Sequence, residues 1–214
     1  MNLEKLNNWP SDKATKRLIY VGFVVLWINS PFLVYFSVIS NYPVGFFESQ
    51  LSFSGAVIKS HFKGMSAEDL HYYRLNQLCD MVFDFHRITI FFGLTLFLAR
   101  KFDEETGWRK SGLKISILGV IGAICDVIEN SLIIMMTFDP QGFPDSWAVA
   151  HSCFAAVKYC LWWIQDVWII LAAVILLKKH TITKKPFLAT IGLHASQNYG
   201  YILTAIILVV LGII

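Results

Sequence analysis

Long apolar runs leave this chain few ways to fold. They cover residues 18–40, 75–99, 112–138, 147–177 and 186–214. Each reaches the ~20 residues a helix needs to cross a bilayer. The expected architecture is an all-α integral membrane bundle of five helices, forming one polytopic domain over residues 1–214. Composition agrees: 56% of residues are hydrophobic and 15% charged, against about 25% charged in a typical soluble domain. No repeat, low-complexity tract or linker interrupts the chain. The fourth and fifth runs exceed the bilayer thickness and predict tilt or protrusion. The first is too long for a cleavable signal peptide and lacks an A-x-A-like site, so it reads as a retained signal anchor.

Lys and Arg set the orientation of such helices. Four fall in the first 17 residues, five in 100–114 and four in 178–185, whereas the 41–74 loop holds three and the 139–146 loop and the C-terminus none. Thirteen against three, in alternation, predicts a cytoplasmic N-terminus and an external C-terminus in the cell membrane. Loop 41–74 is then the one sizeable external segment. It mixes Phe46, Phe47, Leu51 and Phe53 with polar residues, which suits a short amphipathic element on the membrane surface. Ser66, with Glu68 and Asp69 behind it, has the form of an N-cap and acidic first turn, so the second helix should start at 66, outside the hydrocarbon.

Seven ionisable residues interrupt the spans: Asp80, Asp84, Arg87, Asp126, Glu129, Lys158 and Asp166. Each costs ~2.5–3.5 kcal/mol at a helix centre and is tolerated where it faces the bundle interior, pairs or meets water. Three- and four-residue spacing tests whether they share faces. Tyr73, Asn76, Gln77, Asp80, Asp84 and Arg87 form one stripe on the second helix. On the third, Asp126, Glu129 and Asn130 share a face with Gly119, Gly122 and Ala123, small residues that permit close helix approach. His151, Lys158, Trp162 and Gln165 align on the fourth, with Asp166 at the edge. Thr190, His194, Gln197, Asn198 and Tyr201 align on the fifth.

Axial rise puts six of the charges within ~5–15 Å of the external surface. Candidate pocket residues are therefore Asp80, Asp84, Arg87, Asp126, Glu129, Asn130 and Lys158, with Arg87 and Lys158 as partners for the acids. Gln165, Asp166, His194 and Asn198 would continue a path inwards. Four acids face two permanent bases in that band, so the surplus must be protonated, hydrated or bound to a cation. The bland alternative is a set of charge pairs that only lock helices together.

Pro31 predicts a packing kink in the first helix. Cys79, Cys125, Cys153 and Cys160 all lie within spans without ligand spacing, so no metal is expected. His86, His151 and His194 sit at different depths, which disfavours a two-histidine haem site. No cofactor and no nucleic-acid partner are expected.

The segments "LCDMVFDFHRI" and "AICDVIENSLI", followed by the single Lys158, resemble a pattern of uncharacterised prokaryotic small multi-pass membrane proteins. These carry an L-D-x-x-F helix, a D-x-x-E-N helix and a lysine. The resemblance covers about half of the chain and brings no activity. It marks Asp80, Asp126, Glu129, Asn130 and Lys158 as a working set; Asp84 and Arg87 lie outside the pattern. Three function classes stay open. Proton- or cation-coupled translocation suits the acids, with a homo-oligomer to supply further helices. An outer-leaflet lipid-modifying enzyme suits an acid pair with Arg87 and Lys158 on an anionic headgroup. A ligand-binding or assembly role suits purely structural charge pairs.

Overall fold

A computed structural model describes residues 3–188 of the 214, with side chains over 4–179. A 3-10 turn at Leu3–Asn7 leads into α1 (Asp12–Ile39). Two short helices follow, α2 (Phe46–Gln50) and α3 (Gly55–Lys63). Then come α4 (Ala67–His86), a π-helical turn (Arg87–Phe92), α5 (Gly93–Ala99), α6 (Gly107–Met136) and α7 (Asp145–Leu188). No strand occurs among the described residues.

Four helices are long and apolar enough to cross a membrane: Asp12–Ile39, Ala67–Ala99, Gly107–Met136 and Asp145–Lys179. They match the first four expected spans to within two residues at the C-terminal end. The fifth, at 186–214, lies outside the described residues, as do His194 and Asn198. One boundary is corrected. Residues 178–185, read from their lysines as a loop, continue α7 as helix to Leu188. No Gly or Pro interrupts that stretch before Pro186, and Lys is a good helix former, so nothing local stops the helix there.

The local signals act as their chemistry requires. The Ser66 hydroxyl accepts from the Asp69 amide at 3.1 Å and the Asp69 carboxylate accepts from the Ser66 amide at 2.8 Å, a reciprocal cap that starts α4. The π turn is a wide turn inside the second span. Thr89 Oγ1 donates to the carbonyls of Phe85 (2.7 Å) and His86 (3.2 Å), and Thr95 Oγ1 to that of Phe91 (2.6 Å). These hydroxyls supply hydrogen bonds where the helical ladder loosens. The turn also meets α1 closely: a Cβ at Gly22 would lie 2.6 Å from the Ile90 side chain. Side-chain amides tie α1 to α4 on either side of Pro31, with Asn29 Nδ2 donating to the Cys79 carbonyl at 2.7 Å and Asn76 Nδ2 to that of Leu33 at 2.8 Å.

The two ends of the bundle differ. At one, Arg100 donates to the Leu6 carbonyl (2.7 Å) and Asp12 (3.1 Å), while Arg109 donates to Asn7 (3.0 Å) and Glu104 (3.1 Å). The N-terminal turn is thereby clipped to the 100–109 connection. Lys179 reaches Asp103 at this same end. At the other end, residues 41–66 form a cap. Asn41 donates to Asp69 at 2.8 Å and Lys59 to Asp145 at 2.7 Å, which joins the cap to α4 and α7. Basic segments thus gather at one end and the cap at the other.

α6 and α7 form the most extensive helix pair. Gly119 lies against Gln165, and a Cβ at Gly122 would lie 2.6 Å from Trp162 Nε1, so the small-residue face of α6 does seat α7. The outward faces carry Ile121, Ile124, Val127, Trp163, Ile164 and Val167, while Asp126, Glu129, Asn130, Lys158 and Gln165 are buried. Apolar outside and polar inside is the distribution lipid favours.

Candidate functional site

α4, α6 and α7 bring the predicted acids together between the cap and the π turn. Asp84, Asp126, Glu129, Asn130 and Lys158 expose only 0–2% of their surface, and Asp80 is partly buried. Helical phase explains the convergence: Asp80 and Asp84 lie one turn apart on α4, and Asp126, Glu129 and Asn130 lie within one turn on α6.

Lys158 is the hub. Its Nζ donates to Asp126 Oδ1 at 2.5 Å and forms a second ion pair with Glu129. Tyr159 and Trp162 flank the ammonium, with ring centroids 5.0 and 5.7 Å away. Asn130 Nδ2 donates to Asp80 at 3.2 Å and to Asp126 at 3.4 Å, linking α4 to α6. His151 Nε2 lies 3.3 Å from Glu129 Oε1. Spacing aligns His151 with Lys158, but the expected pocket residues do not include it. Its seven-residue offset from Lys158, two full turns, was the signal.

Arg87 requires a correction. It was expected to serve the D-x-x-E-N acids, but Nη2 instead forms a two-pronged pair with Asp166, at 3.0 and 2.9 Å. Its guanidinium also lies over Phe91 (3.7 Å) and Trp162 (4.7 Å), and those rings hold it on the π-turn side. Asp84 and Asp126 remain within its field. Asp166, read as part of an inner path, is therefore the fixed partner of Arg87. Gln165, from the same set, is fully buried and donates to Thr95 Oγ1 at 3.1 Å.

The charge balance sharpens as a result. Asp80, Asp84, Asp126 and Glu129 share one bonded permanent base, Lys158. Asp84 is 1% exposed, and its charged neighbours include two further acids, Asp126 and Asp80, with Lys158 as the base. Asn130 and His151 are buried beside these acids. Among the described residues, no group of three or more His, Cys, Asp or Glu side chains is placed to hold a metal ion.

The class these features define is an all-helical protein of integral-membrane type, closed around a carboxylate-rich interior. The chain matches no protein-family model, no curated protein and no solved structure.

Proposed function

We propose that this is a multi-pass protein of the cell membrane whose buried carboxylates bind and release protons as the coupling site of a translocator. Asp84 carries the reading. It is 1% exposed, and its charged neighbours include two further acids, Asp126 and Asp80, against one base, Lys158. Burying a bare carboxylate costs several kcal/mol, and a proton removes that cost without needing space. An enclosed cluster suits a ligand of that size. The lipid-modifying alternative fits less well, because side chains exposed by 2% or less offer no face to a headgroup. The proposed orientation puts the cap outside and the basic end in the cytoplasm, following the Lys and Arg distribution. A homo-oligomer would supply the further helices that a carrier of this size needs.

Infrared difference titration of the protein in lipid nanodiscs tests proton binding. A carboxyl C=O band should come and go as pH is varied around neutrality, and Asp84→Asn should remove or displace it. Proteoliposomes with an internal pH dye test translocation: an imposed gradient should collapse faster with the parent than with Asp84→Asn. A parent protein whose infrared spectrum shows no carboxyl band responding to pH would sink the proposal.

A further inference from the structure

The basic end of the bundle carries a groove of about 580 Å³, and none of the buried acids lines it. That volume lies within the ~300–1,000 Å³ usual for small-molecule sites. Trp9 and Pro10 form one wall. Ala14, Arg17, Leu18 and Val21 form another, three or four residues apart on one face of α1. Phe92, at the end of the π turn, completes it. Packing fixes this shape. Arg100 holds the Leu6 carbonyl at 2.7 Å, and Leu6, 3% exposed, sits in the core cluster against which Phe92 packs. The Thr15 hydroxyl donates to the carbonyls of Ser11 (3.0 Å) and Pro10 (3.4 Å), which ties the preceding turn to the start of α1. On the far side of Phe92, a Cβ at Gly93 would lie 2.7 Å from the Ile19 side chain, so α1 is seated closely there as well.

Polarity runs along the groove in one direction. Arg17 is its one charged lining residue, is exposed, and directly precedes the apolar run that begins at Leu18. It therefore sits where lipid headgroups meet hydrocarbon. Trp9, 70% exposed beside it, suits the same level, where indole rings anchor membrane proteins. Lys13 is exposed one turn before Arg17 and adds positive charge on the same side of α1. Asp12, the acid nearest in the chain, is held by Arg100 at 3.1 Å. Val21 lies one turn beyond Arg17, ~6 Å deeper. The groove is thus positive at headgroup level and apolar below it. We propose that it binds one anionic phospholipid of the leaflet at the basic end, with the phosphate on Arg17 and an acyl chain against Leu18, Val21 and Phe92. A guanidinium matches phosphate oxygens through paired N–H donors. A zwitterionic lipid offers the same phosphate but carries a cation beside it, which Arg17 and Lys13 repel. Such basic sites at helix surfaces are a known means of selecting anionic headgroups. The lipid would bridge the N-terminal turn, α1 and the π turn. The inference is independent of proton binding by the acids.

Native mass spectrometry of the full chain tests this. The protein in detergent is titrated with dioleoyl phosphatidylglycerol or dioleoyl phosphatidylcholine, and the first bound lipid is counted. The parent should take phosphatidylglycerol more tightly. Arg17→Gln should weaken the first phosphatidylglycerol by ~5-fold, the worth of one basic residue at an anionic membrane surface, and leave phosphatidylcholine nearly unchanged. Arg17→Lys should keep the preference. Lys110→Gln is the control, because Lys110 is exposed at the same end and pairs with Glu105; it should bind as the parent does. Ala14→Phe fills the groove with Arg17 in place and should lose the first lipid of either kind. Equal affinity of the parent for the two lipids would overturn the proposal, as would parent affinity in Arg17→Gln. A loss in Lys110→Gln equal to that in Arg17→Gln would overturn it too, since general surface charge would then account for the effect. A lipid-free dimer broken by Ala14→Phe would give the groove to a second copy of the chain and overturn it likewise.

Discussion

Replacing Lys158 with Met is the sharpest perturbation of the core. Lys158 is 2% exposed and bonds to two carboxylates from α6, one at 2.5 Å. At that distance and an effective dielectric of about 20, the Coulomb attraction of one pair is roughly 7 kcal/mol. Desolvation of the ions offsets much of it, and measured losses on removing one partner of a buried pair centre on ~3–5 kcal/mol. Met fills the space, so packing changes little, and the loss reports on charge. For a chain of this length 1 kcal/mol corresponds to ~2–4 °C, so detergent melts should fall by roughly 6–20 °C. Lys158→Arg should lose less, because it retains the charge. Adding Asp126→Asn to Lys158→Met should restore part of the loss, since it removes one stranded acid, and the double-mutant cycle should show coupling. A Lys158→Met protein that melts with the parent, and gains nothing from Asp126→Asn, would refute the placement of Lys158 as the acids' counter-charge.

Three further outcomes are expected. Glu105→Cys and Ser146→Cys, at exposed positions on opposite ends, should label from opposite sides of the membrane, with Ser146→Cys outside; labelling from one side overturns the topology. Gly122→Leu should cost about 1–3 kcal/mol or more by overpacking against Trp162, read as a lowered melting temperature, whereas Gly107→Leu, with open space at its Cβ position, should be mild. Burial lowers the pKa of His61 below the usual 6.5, with Glu48 opposing. Its contribution to cap stability is then full above pH ~6.5 and lost as pH falls through the lower folded value; cleavage by trypsin at Lys59 and Lys63 should rise on acidification, and His61→Phe should flatten that dependence.

The amino-acid sequence alone was enough for features set by one helix at a time. Run length located the four helices long enough to cross a membrane, and three- and four-residue spacing put Asp80, Asp84, Asp126, Glu129, Asn130 and Lys158 on inward faces. Ser66 and Asp69 start α4 through a cap local to four residues. What only the tertiary structure decided is partner choice between helices. Two charges on facing stripes meet only if rotation and axial offset bring them level, and those are set by contacts elsewhere, such as Gly119 and Gly122 seating Gln165 and Trp162. That seating, together with Phe91 and Trp162 around its guanidinium, places Arg87 on Asp166 rather than on the D-x-x-E-N acids. It also brings His151 to Glu129. The cap was legible only as an amphipathic loop, because the contacts that fold it, from Tyr42 to His61 and from Lys59 to Asp145, join residues 19 and 86 positions apart and leave no periodic trace in the chain.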